Sequence, residues 1–167
     1  MDQHPFHKLC VCRLEKPKRC HFGFTLIEIM VVVAIVGTLA AISIPNYISY
    51  KNRALITEAM EEIRRIETGI TVYMAENGEF PDSLNDVRLG NLKDPWGNPY
   101  EYLRIKGGNK GLGKLRKNRS LVPVNSDYDL YSKGKDGKSQ SPFTAKASQD
   151  DIVRANDGSF LGLVSDY

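Results

Sequence analysis

Glu28 is the residue whose surroundings in the sequence most clearly suggest a chemical role. It is the only charged side chain in the mostly apolar run from Phe24 to Ile44. A helix of about that length spans about 30 Å, the thickness of the hydrocarbon core of a bilayer. An ionised carboxylate is costly in that core unless it reaches the interface or meets a cation. The sequence therefore predicts a membrane-spanning helix at 24–44 with a functional carboxylate near its start.

The residues before this helix predict its orientation. Residues 1–23 are largely polar and carry Lys16, Lys18 and Arg19 shortly before the apolar run. Lysine and arginine beside a membrane span hold that end in the cytoplasm. We therefore expect the residues beyond Ile44 to lie on the opposite side of the membrane.

Cysteine and histidine are confined to the first 23 residues, which limits the chemistry of the rest of the chain. Residues 24–167 contain neither a thiol nor an imidazole. Within one subunit this excludes disulfides, Cys/His zinc sites, Ser-His triads and Cys-His nucleophiles from that part. We expect no chemical role for the confined residues, which are Cys10, Cys12, Cys20, His4, His7 and His21.

The formal charge of +3 also comes from the first 23 residues. They hold five of the 23 Lys/Arg and two of the 20 Asp/Glu, which leaves 18 of each sign in 24–167. This balance gives no reason to expect nucleic-acid binding. A basic cluster between Lys106 and Arg119 is interleaved with glycine and lacks aromatic residues, so we predict that it is a solvated loop.

Beyond the apolar run, the helical pattern continues to Asn77 with a single apolar stripe. Pro45 is expected to kink or loosen the helix, because proline removes one backbone hydrogen bond. Asn77-Gly78 followed by Phe80-Pro81 is expected to end it. We predict that the stripe packs on the downstream domain and binds no cofactor. Its members are Leu55, Ala59, Ile63, Ile66, Ile70 and Met74.

Residues 78–167 are predicted to form short strands joined by turns. Alternating side chains indicate strands at 100–105 and 128–132, and 121–124 is a candidate for a short edge strand. A short helix is predicted at 82–86 and a loop at 106–120. We therefore expect an α+β fold in which one long helix packs on a small antiparallel sheet.

The segment Gly23-Phe24-Thr25-Leu26-Ile27-Glu28 and the helix after it resemble the class III signal of type IV pilins and type II secretion pseudopilins. The resemblance implies that a prepilin peptidase cuts after Gly23 and methylates Phe24, and that Glu28 acts in assembly. The chain then comprises a leader (1–23), the membrane half of the helix (24–44), its amphipathic half (45–77) and a globular head (78–167). An uncleaved single-pass anchor is the alternative, but it does not account for Glu28 so soon after Gly-Phe.

Three further segments resemble the major pseudopilin of type II secretion, namely Asp94–Tyr100, Tyr128–Gly137 and Asp150–Ile152. The resemblance implies a structural subunit of a periplasmic pseudopilus that drives protein export. One span would anchor it in the bacterial inner membrane with its head in the periplasm. The implied partners are further copies of the chain in a helical filament, periplasmic or at the surface, the prepilin peptidase, minor pseudopilins and an inner-membrane assembly platform. Two departures are a longer connection at 106–127 and an extension at 153–167.

In the resembling family a calcium ion ties the C-terminal loop together. Carried over to this sequence, its ligands are the backbone carbonyl of Lys133 and the carboxylates of Asp136, Asp150 and Asp151. Such oxygen ligands suit calcium and not zinc, although their spacing is not that of an EF-hand. From spacing alone Asp136-Gly137 is only a turn, and the resemblance is what favours calcium.

Two other functions agree with parts of the sequence. A type IV pilin for adhesion, motility or DNA uptake would share the first helix. Such pilins usually close the C-terminal loop with a disulfide, which 24–167 cannot form. A membrane-anchored periplasmic enzyme would need acid–base residues, for which Asp127 and Asp129 are the nearest to a pair. With no sign of a substrate pocket and no His or Cys in residues 24–167, we predict no enzymatic activity.

Overall fold

The computed structural model describes residues 23–108 and 112–167, and the predictions made for residues 1–22 lie outside this range. The first element is helix α1, Leu26–Asn77, which contains Pro45. The chain divides into two compact units, one ending at Ile44 and the other comprising Pro45–Tyr167.

The first unit consists, in its described part, of the apolar start of α1. Its large side chains are exposed, with Leu26 at 79 % and Leu39 at 61 %. Within the part of the chain that the structure describes, α1 is the one helix long and apolar enough to cross a membrane. Because these side chains find no apolar partner within their own unit, lipid or other protein must cover them.

In the second unit, α1 buries one stripe of side chains. Ala59, Ile63, Ile66 and Ile70 are completely buried, at the spacings of four, three and four that place residues on one helix face. Met74 was predicted to extend the stripe, but it is 40 % exposed and lies in the last turn of α1. The predicted end is confirmed: Gly78 adopts φ +77°, and its N–H donates to the carbonyl of Met74 over 2.8 Å.

After α1, the second unit contains a four-stranded antiparallel sheet with strand order β1-β2-β3-β4. The register is fixed by the pairs Leu103–Asp129, Tyr131–Val153 and Arg154–Leu161. This confirms the α+β fold of one long helix packed on a small antiparallel sheet. The strands are β1 Glu101–Arg104, β2 Tyr128–Ser132, β3 Ile152–Ala155 and β4 Phe160–Leu163.

Both faces of this sheet are covered, and each has its own apolar cluster. On the first face Tyr128, Leu130 and Ile152 pack with the buried stripe of α1. On the second face Val153 and Ala155 pack with side chains from the loops and the C-terminal end, namely Val124, Phe143 and Val164. Successive residues of a strand point to opposite faces, so Ile152 and Val153 serve different clusters.

The described loops contain three short 3₁₀ segments and correct two of the sequence predictions. Residues 82–86 form turns and no helix. Residues 121–124 form no strand, because the N–H of Leu121 donates back to Asn118 in a tight turn and Pro123 has no N–H to donate. The 3₁₀ segments are Leu112–Lys114, Lys146–Ser148 and Val164–Asp166, whereas Asn156–Gly158 is a turn with positive φ.

Strands β3 and β4 were not predicted from the sequence, although a signal for them exists. They pair across Asn156-Asp157-Gly158, and all three of these residues have positive φ. Asn, Asp and Gly tolerate that conformation best, so this tripeptide between two apolar segments is typical of a hairpin turn. The extension at 153–167 therefore completes the sheet.

The buried stripe leads to a first prediction. Ile66→Ala leaves a cavity where α1 meets the sheet, so we expect it to lower the free energy of unfolding by about 2–5 kcal/mol. The measurement is urea unfolding of the detergent-extracted protein, followed by the fluorescence of Trp96, the only tryptophan. The control is Val72→Ala on the same helix, where the side chain is 52 % exposed and the change should be small. Equal effects of the two substitutions would contradict this packing.

Candidate processing, assembly and metal sites

The candidate processing site lies just before α1. The side chain of Phe24 is 77 % exposed. A Cβ atom added at Gly23 would meet nothing within 4 Å, so the folded chain itself places no demand for glycine here. Any requirement for glycine at this position must therefore come from outside the described fold.

Glu28 lies in the first turn of α1, where its surroundings suggest a second role. Its backbone N–H donates to the Thr25 side-chain oxygen over 3.3 Å, which makes Thr25 the N-cap. Thr25-Leu26-Ile27-Glu28 thus has the Thr-x-x-Glu pattern of a capping box, which sequence reasoning had not considered, and between these two described residues only the Thr25 half of the box is formed. Among the residues that the structure describes, no cation forms an ion pair with Glu28. A cationic partner for this carboxylate must therefore come from elsewhere.

Asp94 joins two of the segments that carried the resemblance. It is 4 % exposed, and its Oδ1 accepts hydrogen bonds from the N–H groups of Trp96 and Asn98. Its Oδ2 accepts one from the Ser132 hydroxyl over 2.5 Å. The Asn98 amide donates in turn to the carbonyl of Gly134 over 2.9 Å. The turn at 94–99 and the end of β2 therefore form one hydrogen-bonded unit.

Of the predicted calcium ligands, Asp136 and Asp150 lie next to each other. The backbone N–H of Asp136 donates to Asp150 Oδ2 over 2.9 Å. A Cβ at Gly134 would lie only 2.0 Å from the Asp150 carbonyl, so glycine permits this close approach. The backbone of Lys133 belongs to the same turn, and its ammonium pairs with Glu101 over 2.6 Å.

Asp151, the fourth predicted ligand, is engaged elsewhere. Its side chain is completely buried, and its Oδ2 accepts from Arg116 Nη2 over 2.7 Å and from the Ser139 hydroxyl over 2.5 Å. In the described part of the chain, no three His, Cys, Asp or Glu side chains are grouped so that they could hold a metal ion. The four predicted ligands therefore do not fit a single ion in this arrangement. Calcium binding itself stays a prediction that only a measurement can test.

Arg154 ties the sheet to α1, and sequence reasoning missed it. Its Nε donates to Glu67 over 2.6 Å, its Nη2 donates to Asp127 over 2.7 Å, and its guanidinium lies 4.2 Å from the Tyr128 ring centre. Burial alone would lower the pKa of Arg154, but the two carboxylates raise it above its usual value. An arginine inside the apolar run Ile152–Ala155 is the signal that could have revealed this network.

Asp127 and Asp129, the pair considered for acid–base catalysis, both make structural contacts. Asp127 pairs with Arg154. Asp129 is buried and accepts from the backbone N–H of Arg116 over 2.9 Å and from the Asn125 amide over 2.9 Å. Burial raises the pKa of Asp129, although both hydrogen bonds act against that rise. Neither carboxylate is placed as the partner of the other in a catalytic pair.

Similarity to known proteins extends over both the first helix and the head. Residues 18–44 match the family model of the prokaryotic N-terminal methylation motif. The type II secretion system core protein G of Pseudomonas aeruginosa is 35% identical over 142 residues, which cover 72% of this chain and 88% of that protein. The chain belongs to this pseudopilin family. The resemblance stated from the sequence is thereby confirmed, for the pilin-like superfamily and for the major pseudopilin in particular.

Other relatives of this pseudopilin come from both branches of the superfamily. The core protein G of Escherichia coli is 31% identical, with coverage of 70% of this chain and 83% of that protein. The fimbrial protein of Neisseria meningitidis serogroup B is 30% identical, with coverage of 80% and 82%. No solved structure matches the chain significantly. The relatives are pilins or pseudopilins, which suggests that this protein too is a structural subunit and not an enzyme.

The Arg154 network leads to a second prediction. Arg154→Met would leave Glu67 and Asp127 without their cation in a largely buried site, so we expect a loss of about 3–5 kcal/mol in the free energy of unfolding. The measurement is urea unfolding followed by Trp96 fluorescence. The control is Arg104→Met, because its partners Glu79 and Asp82 are largely exposed and should be rehydrated when the arginine is lost. A larger effect at Arg104 than at Arg154 would contradict the proposed role of Arg154.

Proposed function

We propose that this pseudopilin is a structural subunit of a periplasmic pseudopilus that drives protein export by type II secretion. The observation that carries the proposal is the match to core protein G, which extends over 88% of that protein and so includes the head. The turn at 94–99 and the end of β2, which are joined through Asp94, carried the same resemblance in the sequence.

The apolar start of α1 supports self-assembly into a filament. Its large side chains are exposed in the isolated unit, although burial of apolar area is favourable by about 25 cal/mol per Å². Before assembly lipid would cover these side chains, and in a filament the α1 helices of other subunits would do so. The apolar helix and the methylation motif fit a single-pass anchor in the inner membrane.

The proposal also implies how the protein is processed, how it is oriented in the membrane and with which partners it assembles. The prepilin peptidase would cut between Gly23 and Phe24 and methylate Phe24. Lys16, Lys18 and Arg19 would hold the leader in the cytoplasm, which directs the head to the periplasm. Minor pseudopilins and an inner-membrane assembly platform would be the partners with which the filament grows.

A type IV pilin is the second candidate, because the fimbrial protein of Neisseria meningitidis aligns over as much of the chain as core protein G does. The two candidates differ in the phenotype of a deletion. Deleting the gene should remove a set of proteins from the culture medium and leave surface pili and motility unchanged. Loss of surface pili with normal export would assign the protein to the pilins.

Processing leads to a third prediction. Gly23→Ala should leave the precursor uncut in the membrane, whereas the unchanged protein should begin with a methylated Phe24. Intact-mass measurement of the membrane-extracted protein distinguishes the two forms. Gly37→Ala is the matched control, since a Cβ there also meets nothing within 4 Å. A mature protein that still carries Cys20 would rule out this cleavage site.

Glu28 leads to a fourth prediction. After cleavage, the amine of Phe24 on a neighbouring subunit would neutralise this carboxylate and help to set the axial register. Glu28→Leu should then be processed and stay in the membrane but assemble poorly. The apolar side chain makes membrane insertion easier, so the loss must arise in assembly. The measurements are intact mass, membrane fractionation and the yield of sheared filaments.

Glu28→Gln separates this pairing from the capping role. Glutamine is accepted at this position of a capping box but carries no charge. If the charge is what assembly needs, Glu28→Gln should fail as Glu28→Leu does. Normal filaments from Glu28→Gln would reduce Glu28 to a helix-capping residue, and normal filaments from Glu28→Leu would remove both roles.

A further inference from the structure

Arg116 is a buried cation that lies on the second face of the sheet, away from α1. It is only 3 % exposed, and its guanidinium lies 4.4 Å from the ring centre of Tyr131 and 5.1 Å from that of Phe143. An arginine is rarely buried to this degree unless its charge and its donors are satisfied. Its position therefore calls for a specific set of partners.

The partners of Arg116 come from two other segments of the head. Nη2 donates over 2.7 Å to Oδ2 of Asp151, the residue immediately before β3. Nη1 donates to the Ser139 hydroxyl over 2.6 Å and to the Gln140 carbonyl over 2.7 Å, in the loop that follows β2. A single guanidinium thus links the 106–127 connection, the 138–141 loop and β3.

The same contacts bear on the metal predicted for this loop. The ligands predicted from the sequence include the Asp151 carboxylate, which here already faces a full positive charge at 2.7 Å. A divalent ion on that carboxylate would lie within a few ångströms of the guanidinium, where repulsion between like charges is strong away from bulk water. Asp136 and Asp150, by contrast, lie at the surface side of the same loop, where the backbone of Asp136 donates to Asp150.

We propose that the guanidinium of Arg116 is the cation that holds the 138–151 loop on the sheet, so that the head is stable without a divalent metal ion. This gives a function to the long 106–127 connection, which carries Arg116 under the loop. The backbone N–H of Arg116 donates to Asp129 on β2 and fixes the connection to the sheet at the same residue. The proposal concerns the stability of the head and does not depend on which filament the protein builds.

Removal of one member of the Arg116–Asp151 pair should lower the stability of the head strongly. Arg116 Nε and Asp151 Oδ1 are buried and have no hydrogen-bond partner in the described part of the chain. Removal of the arginine would leave the whole Asp151 carboxylate buried with only the Ser139 hydroxyl as a donor, which is the costly way to break a buried pair. Removal of the charge from both residues should cost less than removal of the arginine alone.

The test compares melting temperatures of the detergent-extracted protein, after dialysis against EDTA and after addition of calcium chloride. We expect the unchanged protein to melt at the same temperature in both. Arg116→Met should lower the melting temperature by roughly 10 °C in both. Lys114→Met is the matched control, because it removes the same charge from an exposed position in the same connection and should have little effect.

A double substitution, and the comparison of melting in EDTA with melting in calcium, can each contradict the proposal. Arg116→Met combined with Asp151→Asn should melt above Arg116→Met alone, since no unpaired buried charge remains. If the unchanged protein melts lower in EDTA and calcium restores it, a bound ion stabilises the native state by mass action and the proposal is wrong. Melting of Arg116→Met at the unchanged temperature would also overturn it. Should Arg116→Met fail to fold, the EDTA and calcium comparison on the unchanged protein still decides.

Discussion

Four side chains on one face of α1 provide the surface on which the head is built, and the other contacts of the head depend on this packing. Ala59, Ile63, Ile66 and Ile70 are completely buried against one face of the sheet. Burial of each isoleucine contributes about 1.5–3 kcal/mol, which is a large share of the net stability of a domain this small. The same helix also carries the apolar segment that could cross a membrane, so one element serves both the head and the candidate anchor.

Buried arginines add specific contacts to this apolar packing on both faces of the sheet. Arg154 joins β3 to α1 through Glu67 and to the residue before β2 through Asp127. Arg116 joins β3 to the loops on the other face through Asp151. Residues 24–167 contain no cysteine, so no disulfide can close these loops. Directional ion pairs are an alternative way to fix long connections to a small sheet, and they cost the most when one partner is lost.

The sequence predicts the repetitive parts of this fold well and its long-range polar contacts poorly. The end of α1 at Asn77 and the strand at 128–132 follow from local spacing and turn residues, which act within a few positions of the chain. Gly23 and Glu28 could be identified as candidate site residues because they belong to one local motif. The contact between Asp151 and Arg116 could not be predicted from the sequence, because Arg116 lies 35 residues away in a segment that was predicted to be a solvated loop. Local patterns do not reveal which charged residue will be buried by a connection that folds over it.

The hydrogen-bonded unit around Asp94 has a consequence for how such heads diverge. Asp94, Asn98 and Ser132 depend on one another, although 38 residues separate Asp94 from Ser132. A substitution at any one of them leaves a donor or an acceptor unmatched in a largely buried site, so a change at one must await a compensating change at another. Recombination between related genes would preserve the unit only when both segments are inherited together. Exposed loop positions that belong neither to this unit nor to the Arg116 network are free of such linkage, and there the heads of a family can acquire new surfaces.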